Sequence, residues 1–333
     1  MTMKTMRKQY VLACALVGAL ALATSIARAA DLAGSVQGAA KPVAGATVTL
    51  YAAGTGAPTQ LAQAKTDDRG AFKLPRGKAP ADGVLYIIAR GGTPMAAADK
   101  GPNDAIAFLA VLGGTPPKSV VVNEFSTIAS VWTSAQFLKG EALSGTKLGL
   151  RIAAGNVSNL VDLETGGLGP VIQDPINSSQ TATLATFSTL ADLLAGCITR
   201  VHVDACTRLF AVATPPAGVA PTNTLIAAQN IARSPSHQAQ RLFVLLDAFY
   251  PIPAGKRLRP APFIPYLGFA PSAWTLSLVY AGGGLNALEV SPSMARATCG
   301  RATTFWSARS PRSTAALAAA SRSSRRMAGP SRR

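Results

Sequence analysis

The sequence predicts a multidomain α+β protein: an N-terminal antiparallel β-sandwich, a mainly α-helical domain after it, and a disordered C-terminal tail. Three observations carry this reading. Short runs of alternating apolar and polar residues recur at intervals of roughly a dozen positions from Leu32 to Ile88, divided by Gly, Pro and Asp. Helical periodicity replaces the alternation between Asn123 and Phe249. From Leu288 onward the chain turns to Ala, Ser, Thr, Pro and Arg. The expected segments are a signal peptide over 1–29, the sandwich with additional strands over 30–122, a helical domain ending in a strand over 123–281, and a Gly-rich joint and tail over 282–333.

Residues 1–29 open with Lys4, Arg7 and Lys8, continue with an apolar run from Tyr10 to Ile26, and end on Ala27-Arg28-Ala29. A basic start, an apolar middle and small residues at the −3 and −1 positions are the layout of a Sec-type secretory signal, so cleavage between Ala29 and Ala30 is expected. The run is short and alanine-rich for a spanning helix, so no stable membrane insertion is expected once it is removed. The mature protein should therefore be periplasmic or secreted in a bacterium, in a compartment where cysteines can pair.

The strands expected in the mature chain are Leu32–Val36, Thr47–Tyr51, Gln60–Lys65, Ala71–Leu74 and Val84–Ile88. Lys41 to Ala46 should form a turn, with φ locked at Pro42 and Gly45 free to take unusual values. Thr66-Asp67-Asp68-Arg69-Gly70 reads as a second turn, capped by Asp side chains. As a calcium loop, Asp67-Asp68 offers too few oxygen ligands at the required spacing. Together "PVAGATVTLY", "TDDRGAFKLP" and the closing apolar strand resemble the transthyretin-like, carboxypeptidase-regulatory-like family over about Asp31–Gly92. That resemblance implies a seven-stranded sandwich that serves as a spacer or interaction platform, with no chemistry of its own.

Ile106–Leu112 and Ser119–Val122 read as strands that extend the first sheet. Helices are then expected in order. Asn123 caps a segment with Phe125, Ile128, Ala129 and Trp132 on one stripe. A segment from Lys147 to Glu164 stops at Gly166-Gly167, and Thr183–Ile198 places Leu184, Phe187, Leu190, Ala191 and Leu194 on one face. Asp204 caps Ala205–Ala213, Thr222 caps Asn223–Ala232, and Ser234-Pro235 opens a helix reaching Phe249. The resulting five or six amphipathic helices need one another to bury their apolar faces.

Cys197 and Cys206 flank a short helix–helix corner, and in an oxidising compartment they are expected to form a disulfide worth about 2–3 kcal/mol. Reading His202, Asp204 and Cys206 as a metal or nucleophile cluster fails, because the spacing fits no closed zinc site and the disulfide consumes the thiol. His202 and His237 are the only imidazoles of the chain. No G-x-S-x-G elbow, P-loop or dinucleotide fingerprint is present, and the sparse pairs of carboxylates are read as caps at turns and helix ends. Gly282-Gly283-Gly284 reads as a flexible joint. No catalytic, cofactor-binding or metal-binding residue is therefore expected.

The ordered motifs "VVNEFSTIASVW", "STLADLLAGCI", "ACTRLFAVATPP" and "PSAWTLSLVYAGGGLNA" resemble the region before the propeller in exported bacterial NHL-repeat proteins, over about Val121–Ala287. In that group a β-propeller follows the Gly-rich joint. Here an arginine-rich tail follows. Codons allowed for Val290–Trp306, read one nucleotide upstream, spell a peptide similar to the opening of an NHL blade. The expectation is a frameshifted propeller start.

The formal charge of +17 arises from 32 bases and 15 acids. Four of the bases lie in 1–29, and nine arginines against the single acid Glu289 lie beyond Leu285. The body between them carries 19 bases and 14 acids, a net of +5, an ordinary value for a soluble domain. The basicity thus gives no reason to expect nucleic acid, and export argues against it. The expected function is a non-catalytic exported scaffold or binding protein of the cell envelope, the truncated front end of a propeller protein, with an unknown envelope or extracellular ligand. The alternative is a lactonase- or lyase-like enzyme whose activity resides in the missing propeller.

Overall fold

The computed structural model describes residues 31–75, 80 and 83–280. The expected signal peptide with its expected cleavage point at Ala29 and Ala30, the expected Gly-rich joint and the arginine-rich tail lie outside the described residues. The described chain is α+β, and two sheets form a sandwich-like pair. One has the order β5-β1-β2-β7, with β9 also on β1, and the other the order β4-β3-β6-β8. The strands are β1 (Leu32–Gly38), β2 (Lys41–Ala44), β3 (Thr47–Ala53), β4 (Thr59–Lys65), β5 (Ala71–Leu74), β6 (Val84–Arg90), β7 (Thr93–Pro94), β8 (Ala107–Gly113) and β9 (Ser119–Val122).

The alternating runs form strands because one face of each meets the core. In β5 the pattern is strict: Phe72 and Leu74 are buried while Ala71 and Lys73 are exposed. β3 and β6, at the centre of their sheet, are buried nearly throughout, and Tyr51 stacks on Tyr86 at 5.2 Å between them. Two expectations change. The turn expected over Lys41–Ala46 forms only at Gly45, which takes φ of 70° as expected; Lys41–Ala44 is strand β2, and the chain also reverses just before it, at Ala39-Ala40. Both alanines there are left-handed, with φ of 49° and 58°, as a two-residue hairpin requires. Ser119–Val122 joins β1 in parallel, and Ile106–Leu112 supplies β8 to the other sheet. The sandwich is therefore not wholly antiparallel. The second turn forms as expected: Asp67 Oδ1 accepts from the amides of Arg69 and Ala71 at 2.9 and 2.8 Å, and Gly70 has φ of 73°.

After β9 come helices α1 (Glu124–Ser134), α2 (Lys147–Leu160), α3 (Pro170–Gln173), α4 (Pro175–Ser178), α5 (Thr183–Ile198), α6 (Ala205–Val212), α7 (Thr224–Arg233) and α8 (Ala239–Phe249). A small hairpin of β10 (Leu138–Lys139) and β11 (Ala142–Leu143) stands between α1 and α2. Asn123 caps α1 through a reciprocal capping box with Ser126. Asn223, not Thr222, caps α7. Asp204 precedes α6 without a side-chain cap, its carboxylate bonded instead to Arg208 one turn on. α2 stops at Leu160, and α8 begins at Ala239 after a turn over the expected Ser234-Pro235 start. The central helix α5 departs most from an amphipathic pattern, since every residue but Ala185 is buried.

The described residues up to Val279 belong to one compact unit, and one core cluster runs from Leu32 to Trp274. The boundary expected after residue 122 falls inside this core. The outer edge of β8 shows how sheet and helices are joined. The Ala107 amide donates to Thr224 Oγ1 at 3.0 Å, the Leu109 amide to Thr127 Oγ1 at 3.1 Å, and the Val111 amide to Ser130 Oγ at 2.9 Å. Thr224 and Ser126 return hydroxyl protons to the carbonyls of Ala107 and Leu109. A buried strand edge would otherwise leave each of these groups unsatisfied, at about 1–3 kcal/mol apiece. The Ser/Thr content of α1 is thus explained by the strand beside it.

Residues 250–280 contain no strand, which corrects the expected terminal strand of the helical region. Trp274, Leu276 and Leu278 do alternate toward the core, yet no sheet edge is offered to them. Side chains of the central helix take the strand partner's place. Asp192 Oδ1 accepts from the Phe263 amide at 2.9 Å, Thr189 Oγ1 accepts from the Leu267 amide at 2.9 Å, and Thr183 Oγ1 donates to Ser277 O at 2.7 Å. Asn177, just before α5, accepts from and donates to the Val279 backbone. The segment is an extended strap running antiparallel to α5.

Candidate functional site

α2 carries its buried residues Leu150, Ala153, Val157 and Leu160 on one stripe, at helical spacing, and seats them on the core. After it, the chain returns through a bridge between Val161 and Leu168. Asp162 organises this loop: its backbone bonds Gly166 and Gly167, and its Oδ1 accepts from the Glu164 amide at 2.9 Å. Gly166 has φ of 71°, and a Cβ there would lie 2.5 Å from Val121 Cγ1, so no larger residue fits. The Leu163 carbonyl accepts from the Val121 amide at 2.8 Å, which ties the loop to β9.

Between this loop, α2 and the β8–β9 connection lies a cleft of about 560 Å³, lined by Thr115, Pro117, Ser158, Asp162, Leu163 and Glu164 among others. A second cleft of about 310 Å³ shares Thr115, Ser158 and Leu163 and reaches Val111, Gly113 and Arg151. The shared lining makes them one groove along α2. Its size is that of small-ligand sites. Carboxylates of Asp162 and Glu164 mark one end and the Arg151 guanidinium the other, with hydroxyl and apolar side chains between them.

The residues singled out from the sequence lie elsewhere. Cys197, in the last turn of α5, and Cys206, near the start of α6, form a disulfide. The same corner is closed by Asn103, which donates to the carbonyls of Cys197 and Ile198, and by Lys100, which donates to those of Thr199 and Arg200. Donors and a cation thus meet the negative end of α5. His202 donates from Nε2 to the Ala248 carbonyl at 2.8 Å, and His237 accepts from the Gln238 side chain at 3.1 Å. The two imidazoles therefore stand at opposite ends of α8 and do not meet. Asp204 is exposed, its carboxyl held below the usual range by the hydrogen bond from Arg208. Among the described residues, no group of three or more His, Cys, Asp and Glu is arranged to hold a metal ion.

Two acids to which the sequence assigned no role are interior. Glu124 and Asp192 are both fully buried. Burial pushes Glu124 up to about 7, against the Ala39 amide that its Oε1 accepts at 2.7 Å. Burial likewise pushes Asp192 up to about 8, opposed by the Phe263 amide and reinforced by the charge of Glu124. Tyr250, whose hydroxyl donates to the Asp192 carbonyl, is raised by burial and by both acids. Among the described residues, Glu124 Oε2 and Asp192 Oδ2 have no hydrogen-bond partner. A signal for Asp192 was present in the sequence, as a lone acid within the apolar run Leu190-Ala191-Asp192-Leu193-Leu194 in mid-helix.

Compared with known protein families, curated proteins and solved structures, the chain matches none of them.

Proposed function

We propose that the protein is a non-catalytic exported scaffold of the cell envelope that binds its partner in the groove along α2. The observation that carries this reading is the groove itself: ligand-sized, with oppositely charged residues at its two ends, and lined by neither imidazole. The signal-like first 29 residues support export, and the resemblance of the first sheet region to transthyretin-like modules supports a platform role. The resemblance of the later motifs to the pre-propeller region of NHL-repeat proteins supports the same role, next to a propeller. The ligand fitted by this lining, which is more apolar than polar, is an extended amphipathic one, such as a short peptide or the apolar face of a glycan strand, with an anionic group near Arg151 and a cationic or hydroxyl-rich end near Asp162.

A binding screen of envelope peptides and glycan fragments tests it, with Arg151→Glu and Ser158→Trp as groove variants. Both sit on exposed positions of α2 and should leave folding intact. Loss of binding in both variants is the expected result. Turnover of ester, lactone or glycoside substrates that disappears in His202→Ala or His237→Ala would overturn the reading.

A further inference from the structure

The strap over residues 250–280 is held by side chains, and one of the bonds that hold it depends on a titratable group. Asp192 lies at the middle of the most deeply buried helix and reaches the strap through a single oxygen, Oδ1, which accepts from Phe263. Its other oxygen faces no donor. Glu124 repeats the arrangement one helix away: Oε1 accepts from Ala39 in the strained β1–β2 turn, and Oε2 faces no donor. Two buried carboxyls that feel one another, each with one hydrogen-bonded oxygen and one bare oxygen, have an evident place for a proton on each.

Among the described residues no cation is bonded to either carboxyl. The basic groups on the elements packed around the pair are turned to other partners. Arg259 pairs with Asp247 and donates to the Tyr250 carbonyl. At the C-terminal end of α5, Arg200 donates to the Gly101 carbonyl and Lys100 to those of Thr199 and Arg200. Arg233 of α7 bonds the carbonyls of Ala135 and Leu138. Arg208 pairs with Asp204, Arg241 bonds Gln238, and Arg151 of α2 is exposed. Tyr250 is the remaining titratable group that feels the pair, and its burial keeps it neutral.

We propose that Asp192, with Glu124 beside it, is a proton-operated latch on the strap: protonated, it lets the strap lie closed on α5, and losing its proton drives the strap open. The strap is the element that yields because it has no sheet or helix of its own and covers Asp192 directly through Phe263 and Tyr250. The sign follows from linkage. The folded values, about 8 for Asp192 and about 7 for Glu124, lie above the roughly 3.9 and 4.3 of the free side chains. The closed state is thus fully favoured below about pH 4 and loses ground as pH rises through 7 and 8. When opening exposes Asp192 alone, the open population grows up to tenfold per pH unit between about pH 5 and 7.5, and levels off above about 8.

Hydrogen exchange tests this on two strap amides, that of Phe263, which Asp192 holds, and that of Leu267, which Thr189 holds one turn away, measured from pH 5 to 9 and corrected for intrinsic base catalysis. The expected result is protection that falls about a hundredfold between pH 5.5 and 7.5, remains below that of the Leu50 amide in β3 throughout, and becomes flat in Asp192→Asn. The asparagine keeps the acceptor for Phe263 and removes the proton. Glu124→Gln is the second variant, needed if the first does not fold: it removes the neighbouring charge, so the fall should end at a lower pH. Constant protection in the unmodified protein would overturn the proposal. So would an unchanged fall in the variants, or identical protection at Phe263 and Leu50, which would mean that only global unfolding exposes the strap.

Discussion

The two outer edges of the β4-β3-β6-β8 sheet meet the same requirement in different ways. β4 leaves its free backbone to solvent; among the described residues it pairs with β3 alone, and most of its residues are exposed. Gln60, Gln63 and Lys65 keep that edge polar, and water satisfies its backbone whatever the side chains are. β8 is buried, so every second amide along it needs a donated oxygen at a fixed place. Thr224, Thr127 and Ser130 supply these oxygens from two different helices. A solvent edge constrains composition, whereas a covered edge constrains individual residues far away in sequence. The covered edge is also what makes sheet and helices a single unit.

The contrast can be broken at β8 first. Thr224→Val removes both the acceptor for the Ala107 amide and the donor for its carbonyl, and should cost roughly 2–4 kcal/mol, since each unsatisfied buried group costs on the order of 1–3 kcal/mol. Denaturant unfolding reads this as a lower midpoint with an unchanged slope. Ser130→Ala strands only the Val111 amide and should cost about 1–2 kcal/mol by the same measurement. On the solvent edge, Lys65→Val should shift stability by less than about 0.5 kcal/mol. Its effect should appear instead in sedimentation, as concentration-dependent self-association, because the change strips charge from an unpaired strand edge.

How far these features could be read from the sequence depended on how local their causes are. β1, β3, β4, β5 and β6 announced themselves because their alternation reflects one buried face. Asn123 was legible as a cap because its partner Ser126 is three residues away. The Cys197–Cys206 bond was legible because the spacing and the intervening turn suffice. The Ala39-Ala40 turn was not, since alanine carries no turn signal and its left-handed φ is maintained with help from Glu124, 85 residues distant. Nor was the parallel pairing of β9 with β1, which rests on contacts across the whole first sheet. The strap showed real alternation, yet its partners are hydroxyl and carboxyl groups on α5, which no period-2 pattern can reveal. The groove along α2 was likewise invisible, because Thr115, Ser158 and Glu164 meet only after β9, α2 and the 161–168 loop have packed.

One core spans sheet and helices, across the boundary at residue 122 that the sequence implies. Native-state hydrogen exchange in rising denaturant tests it most directly, comparing the Leu50 amide at the centre of β3 with the Leu190 amide at the centre of α5. If the core is shared, the two opening free energies should merge to within about 1 kcal/mol on one denaturant slope. Separate slopes, with Leu190 opening while Leu50 remains protected, would contradict it and restore two independent domains.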